Sequence, residues 1–211
     1  MQISVRSNIK EVTRNLSRLE KKHIPKATRN AINETLFGLG KALSREMQSV
    51  FDEPTVFTTG GEKRSPFIYE KADLKKLAGE IRFKKKQASY LRWQIYGGTQ
   101  KPKRKAIPIP AKVIRNKYGN LTKGWKKILN KPHHFSGKPK GHPTAPPGIY
   151  RRLGAKKKFP AGHKLQLLVS WEEKTEYQKQ FHFHEFSQRY VRRHFAKNFR
   201  EKLRWYVQNR K

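Results

Sequence analysis

Lysine and arginine side chains are the groups in this sequence whose number and placement point to a chemistry. Of 211 residues, 50 are Lys or Arg and 15 are Asp or Glu, which gives a formal net charge of +35 at pH 7. Residues 81–171 contain 24 of these bases and no acid. Such a surface attracts polyanions or acidic proteins without needing a fixed geometry. We therefore expect a partner that compensates the charge.

The bases that we expect to touch DNA or an acidic partner lie in and beside the acid-free stretch. They are Lys84, Lys85, Lys86, Lys101, Lys103, Arg104, Lys105, Lys138, Lys140, Lys156, Lys157 and Lys158. Aromatic residues are interleaved with bases in this region, and aromatic rings can stack on exposed nucleobases. Loop anchoring at a subunit interface is the simpler interpretation of these rings, whereas phosphate contact by lysines needs no stacking.

Residues that could catalyse a reaction or hold a metal are few. Cysteine is absent, which excludes disulfides, thiolate nucleophiles and Cys-ligated zinc. Helical neighbours two apart, such as His182 and His184, point about 200° away from each other and cannot readily share a metal. The remaining histidine group, at 133, 134 and 142, fits exposed loop positions better than a metal site. No phosphate-binding or dinucleotide motif occurs, so we predict no enzyme, no cofactor and no metal.

Helices are predicted at the start of the chain. Apolar residues at three- and four-residue steps indicate a short amphipathic helix through Ile9, Val12, Leu16 and Leu19. Pro25 suits the first turn of a second helix. The stripe of that helix consists of Ile32, Leu36, Leu39, Leu43, Met47 and Val50. Pro54 disfavours helix in the residue before it and ends the second helix near Asp52.

Strands and two further helices follow. Alternation over 77–83 predicts a half-buried strand, with 67–69 as its partner, and 165–171 is a third apolar run of strand length. Residues 90–96 fit a short helix. Thr175 with Gln178 indicates a capping box that begins a long C-terminal helix. Aromatic residues on more than one face of that helix suggest a subunit interface formed by Phe181, Phe183, Phe186, Phe195 and Phe199.

The order of elements predicts an α+β fold. N-terminal helices and a long C-terminal helix would pack on a small antiparallel sheet, with a long basic loop excursion. We divide the chain into 1–98, a helical and strand part of the core domain, 99–160, the basic Gly/Pro/Lys-rich excursion, and 161–211, a strand and helix that complete the core. Because no apolar run reaches the roughly 20 residues of a membrane span, we expect a soluble protein made in the cytoplasm.

Four stretches resemble one family of phage proteins. They are IPKATRNAIN at 24–33, VFDEPTVFT at 50–58, YLRWQIYGG at 90–98 with Tyr118-Gly119-Asn120 after it, and PGIYRR at 147–152. The second is similar to a Phe-Asp-x-Pro-Thr-x-Phe-Thr segment, and the third to a Tyr-Leu…Gln-Ile-x-Gly-Gly segment, of phage and prophage tail-completion proteins related to the minor tail protein Z group.

The resemblance implies a virion structural protein of the phage neck or tail, made in the host cytoplasm. Its place would be the head–tail junction or the top of the tail, where it would form a homo-oligomeric ring, six-fold in related proteins, around the DNA path. Partners would be portal or adaptor proteins, tail-tube proteins and the duplex DNA that passes through, with no membrane involved. The excursion here is richer in lysine than in that family.

The high positive charge, taken alone, fits a second class of protein equally well. A sequence-independent nucleic-acid-binding protein, of the ribosomal or nucleoid-associated type, also combines a high positive charge with no catalytic residues. Assembly distinguishes the two classes, since a virion subunit forms a ring of fixed stoichiometry on particles and the alternative binds as a monomer. A nuclease or a lytic enzyme of the virion is a third interpretation.

Overall fold

The computed structural model describes residues 2–6, 18–61, 64–102, 105–111, 114–122, 124–153 and 164–209. It has long helices and antiparallel sheets, which confirms the predicted α+β class. The chain forms two compact units, one from Met1–Tyr96 with Lys179–Lys211 and the other from Gly97–Gln178. Ile9, Val12 and Leu16 of the first predicted helix fall outside the described residues, and Leu19, its last member, belongs to a helix that begins at Arg18. No helix in the described ranges is long and apolar enough to cross a bilayer.

The first unit, in its described part, combines helices with one antiparallel sheet. Its elements are β1 (Gln2–Arg6), α1 (Arg18–Val50), α2 (Val56–Thr59), β2 (Phe67–Glu70), β3 (Ala78–Phe83), α3 (Lys85–Tyr96) and α4 (Phe183–Gln208). The sheet has the order β1-β3-β2, with Ile3 opposite Ile81 and Phe67 opposite Phe83. This confirms the predicted pairing of 67–69 with 77–83.

The core of the first unit is built on the predicted stripe of α1. Its buried members are Ile32, Leu36, Leu39, Leu43, Met47, Phe67, Ala72, Ile81, Phe83, Leu91, Ile95, Phe181 and Phe183. Five of these repeat at three- and four-residue steps along α1, so one face of that helix is continuously covered. Full burial of side chains of this size contributes about 1.5–3 kcal/mol each before the entropy of ordering them is counted.

Helices α1 and α4 run antiparallel and are joined by polar contacts as well as by the core. Asn30 Nδ2 donates to the Tyr206 hydroxyl at 2.8 Å, and Asn198 Nδ2 donates to Thr35 Oγ1 at 2.9 Å. Gly38 lets the Tyr190 side chain lie directly against the α1 backbone, where a Cβ atom would collide with its hydroxyl. Each of these contacts fixes the register of one helix along the other.

The second unit contains two antiparallel sheets in its described part. Its elements are β4 (Gly98–Gln100), β5 (Ile107–Pro110), a 3-10 helix (Trp125–Asn130), β6 (His134–Gly137), β7 (Gly148–Arg152), β8 (Leu165–Glu172) and β9 (Thr175–Tyr177). β4 pairs with β9, and the other four strands form a sheet in the order β5-β8-β7-β6. Pro108 and Pro110 lie on the edge strand β5, where a missing N–H discourages further strand pairing.

The buried core of this unit is much smaller than that of the first. Ile149, Leu168 and Val169 are buried, and Ile114, Leu121, Trp125, Ile128 and Trp171 pack against them while partly exposed. Trp125 and Trp171 lie with ring centroids 5.8 Å apart. Phe135 stacks on Tyr150 at 5.6 Å. Aromatic side chains therefore contribute much of the packing around this small core.

The structure differs from three predictions about the middle and the end of the chain. Residues 99–160 are not only a loop excursion from one core, because strands from this stretch pair with β8 to make a separate unit. The strand at 165–171 is real, but it belongs to this second unit rather than to the core domain. Thr175 does not cap a helix either, since it begins β9, and α4 starts at Phe183 after His182.

Three further differences concern the first half. Pro25 lies inside α1, which begins at Arg18, so the proline interrupts the hydrogen-bond ladder without ending the helix. The strand β1 was not predicted, although Ile3 and Val5 alternate as a strand requires. The short helix at 90–96 is confirmed and begins earlier, at Lys85.

Candidate nucleic-acid and partner interface

The second unit carries an unbalanced positive surface. Within Gly97–Gln178 there are 20 Lys and Arg and three acids, namely Glu172, Glu173 and Glu176. The described bases that are exposed there include Lys101, Lys105, Arg115, Lys117, Lys126, Lys127, Lys131, Lys138, Lys140, Arg151 and Lys164. Glu176 lies 3.1 Å from Lys174, so even part of this small acidic complement is used within the unit.

The structure places the predicted contact residues in different environments. Lys101 and Lys105 flank the segment that enters β5, and Lys138 and Lys140 follow β6; all four are exposed. Lys84, Lys85 and Lys86 belong to the first unit, at the beginning of α3, and are exposed as well. Lys103, Arg104, Lys156, Lys157 and Lys158 lie outside the described residues.

Aromatic rings near these bases are engaged within the unit. Arg152 lies over the Phe135 ring at 4.4 Å, and Lys117 lies over the Tyr118 ring at 5.0 Å. The hydroxyl of Tyr150, which is buried, donates to the Pro146 carbonyl at 2.5 Å. The Tyr150 ring therefore cannot readily swing out to stack on nucleobases. The arrangement suits contact with phosphates better than contact with bases.

The predicted aromatic interface on the last helix needs correction. Phe181 and Phe183 are fully buried in the core of their own chain, so they have no surface left for a neighbouring subunit. Phe186 and Phe195 are half-buried against that core, and Phe199 is half-buried with its ring 6.2 Å from Phe195. The extra aromatic faces arise because the chain before α4 and the first turn of α4 together close the core.

Several acids in the described part of the first unit are bound to bases or to backbone. Lys202 Nζ lies 2.7 Å from Glu34, and Arg82 contacts both Glu70, at 2.9 Å, and Glu80, at 3.9 Å. Hydrogen bonds from the Lys76 and Lys75 backbone N–H groups lower the pKa of Asp73. A hydrogen bond from Lys179 lowers the pKa of Glu185 to about 2.

A small groove in the first unit was not predicted. Its volume is about 280 Å³, and its walls come from Val56, Phe57, Gly60, Arg64, Ser65, Pro66, Lys84, Lys85, Lys86 and Gln87. We call it the Lys84 groove. Val56 and Phe57 remain 58% and 52% exposed, a property that no sequence pattern signals because it depends on what packs nearby.

Histidine and carboxylate side chains do not converge on a metal site in the described ranges, where no three of them come together in a way that would hold an ion. His184 Nε2 and the Tyr96 hydroxyl lie 3.1 Å apart at the surface, which accounts for that histidine without a metal. Comparisons with protein-family models, curated proteins and solved structures found no match for the chain.

Proposed function

We propose that this chain is a non-enzymatic structural subunit of a phage particle. Its place would be the head–tail junction or the top of the tail, where several copies form a ring around the DNA path. The observation that carries the proposal is the second unit, whose 82 residues include 20 bases and three acids. Like charges at this density repel one another, so the unit needs a polyanion beside it.

Duplex DNA is the polyanion that suits this surface. The exposed bases are spread over strand ends and loops, and the neighbouring rings are engaged inside the unit. Lysines arranged in this way neutralise phosphates and read no sequence. A subunit that lines a passage needs this property, because DNA of any sequence must slide past it.

The phage assignment is supported by the stretches of sequence resemblance. Residues 24–33 lie in α1, and residues 50–58 lead into α2. Residue Thr58 shares a hydrogen bond of 3.1 Å with Tyr90, the first residue of the third stretch, and Gln87 donates to the Phe57 carbonyl at 3.0 Å. The second and third stretches are thus in contact within the first unit, whereas the fourth, at 147–152, belongs to the second unit.

The test is deletion of the gene from the phage or prophage that encodes it. We expect filled or fillable heads whose tails are absent, unstable or unjoined, counted as joined, DNA-retaining particles by electron microscopy. Complementation with the intact gene is the control. Normal, infectious particles from the deletion strain would refute the proposal.

A second measurement separates the virion subunit from the alternative nucleic-acid-binding protein. A virion subunit should be present in purified particles at a fixed copy number, with six-fold symmetry expected. Absence from particles, together with salt-sensitive binding of DNA or RNA by monomers, would favour the alternative instead.

A further inference from the structure

The Lys84 groove combines an apolar wall with a cationic wall. One wall presents the exposed apolar side chains of Val56 and Phe57, from the short helix α2. The other presents Lys84, Lys85 and Lys86 at the start of α3, with Arg64 beside them. No ion pair joins these four cations to an acid in the part of the chain that the structure describes.

The walls of the groove are held in place by the fold. The Lys84 N–H donates to the Pro66 carbonyl at 2.8 Å, and the side chain of Gln87, which is 5% exposed, donates to the Phe57 carbonyl. Gly60 has φ +88°, and a Cβ atom there would lie 2.8 Å from the Arg64 carbonyl oxygen. The groove therefore exists before any partner arrives, which reduces the entropic cost of binding.

The electrostatic potential of the groove is positive for more than one reason. Helix α3 has no acid in its first turn, so the positive end of its dipole adds to the charges of the three lysines. An anionic group is thus favoured on this wall. An anion does not stabilise the apolar wall. Val56 and Phe57 are stabilised only when another apolar side chain covers them and removes them from water.

We propose that the Lys84 groove binds a segment of a partner protein in which an aliphatic or aromatic side chain is flanked by Asp or Glu. The apolar side chain covers Val56 and Phe57, and the carboxylates pair with the lysines. A volume of about 280 Å³ holds a few side chains and is far too small for a duplex. The inference goes beyond the proposed function, and it does not depend on DNA contact by the second unit.

The experiment measures fluorescence anisotropy of labelled probes with the full-length chain. One probe is a short acidic peptide with a central Leu-Phe pair, and the second is the same peptide with Ser-Ser in place of the pair. A labelled DNA duplex of arbitrary sequence is the third. We expect the Leu-Phe peptide to bind at least about tenfold more tightly than the Ser-Ser peptide, the effect of burying one large apolar side chain.

Two sets of variants locate the binding. Phe57→Ser should remove the difference between the two peptides, whereas Leu74→Ser, at a side chain 48% exposed outside the groove, should preserve it. Replacing Lys84, Lys85 and Lys86 with Gln should weaken both peptides. The matched control replaces the exposed Lys21, Lys22 and Lys75 with Gln. Circular dichroism of every variant establishes that it is folded.

The outcomes separate the possible occupants. Equal binding of the two peptides, binding of neither, or a preference that survives Phe57→Ser would overturn the proposal. Competition by the duplex that depends on the three lysines but not on Phe57 would assign the groove to phosphates instead. Phe57→Ser should leave DNA binding by the second unit unchanged, so failure here leaves the proposed function untouched.

Discussion

The two units of this chain carry similar net charges but differ in their number of acids and in the size of their buried clusters. The first unit has 12 acids among its 129 residues, and its described part surrounds a cluster of thirteen buried apolar side chains. The second has three acids among 82 residues, and the buried cluster in its described part has three members. The 35% hydrophobic content of the whole chain is therefore an average of two unlike parts. The larger buried cluster lies in the first unit, and the higher uncompensated charge density in the second.

The largest expected effect comes from the core of the first unit. Leu39→Ala removes a fully buried side chain from α1 and should lower the free energy of unfolding by about 2–5 kcal/mol. Denaturant titration measures the change, with Lys41→Ala, an exposed position on the same helix, as the control. An unchanged midpoint would mean that this face of α1 contributes little, and the comparison between the units would fail.

A substitution in the second unit tests whether its small core is cooperative. A Cβ atom at Gly148 would collide with the Val169 carbonyl oxygen, which belongs to the backbone of the neighbouring strand and cannot move aside. Gly148→Ala should cost about 1–3 kcal/mol, as overpacking does. Hydrogen exchange should rise in β7 and β8 and stay unchanged in α1. Thr144→Ala, at an exposed loop position, is the control.

A DNA-binding measurement tests the difference in charge density between the two units. Replacing Lys101, Lys103, Arg104 and Lys105 with Gln should flatten the dependence of duplex affinity on salt, by about 0.9 in log–log slope for each phosphate that the variant no longer neutralises. The matched variant replaces Lys21, Lys22, Lys75 and Lys76 in the first unit with Gln and should leave the slope nearly unchanged. Equal slopes for both variants would mean that the second unit has no privileged contact with DNA.

The smallest effect is a pH dependence in the first unit. Because the pKa of Glu185 is about 2 in the folded chain against an ordinary 4.5, its pair with Lys179 stabilises fully above pH 4.5. That contribution disappears as the pH falls from about 4.5 to about 2. Glu185→Gln should therefore reduce stability at neutral pH, and its difference from the parent should shrink across this window. Thermal melts at stepped pH measure it, with the exposed Glu173→Gln as control; a constant difference would contradict the assignment.

Sequence patterns predicted the first unit well because its signals are local. The stripe of α1 and the alternation of β3 each lie within one element, so periodicity alone shows which face is buried. In the sequence the second unit resembles a loop, because strands such as β5 and β6 are short and contain Pro or Gly. Its pairs also join distant residues, such as Ile107 with Glu172, and no local pattern reveals such a pairing.

The candidate site, like the fold, was predicted from the sequence only in part. Charge is a property of the residues themselves, so the acid-free stretch was visible in the sequence, and the lysines of that prediction that the structure describes are exposed. Burial and exposure of aromatic rings depend on tertiary packing instead. For this reason Phe181 and Phe183 were assigned to a surface that they do not reach, and the exposed Phe57 was overlooked.

The order of the units along the chain determines which unit is completed first during synthesis. The first unit ends its N-terminal part at Tyr96 and resumes at Lys179, where the Gln94 carbonyl accepts hydrogen bonds from the Gln180 and Phe181 N–H groups. A ribosome needs about 4–16 s to make the 82 intervening residues at its usual speed. During that interval the apolar face of α1 has no α4 to cover it. The inserted unit is thus complete before the unit that surrounds it in sequence, and a nascent chain stalled between the two would leave the face of α1 that α4 covers exposed.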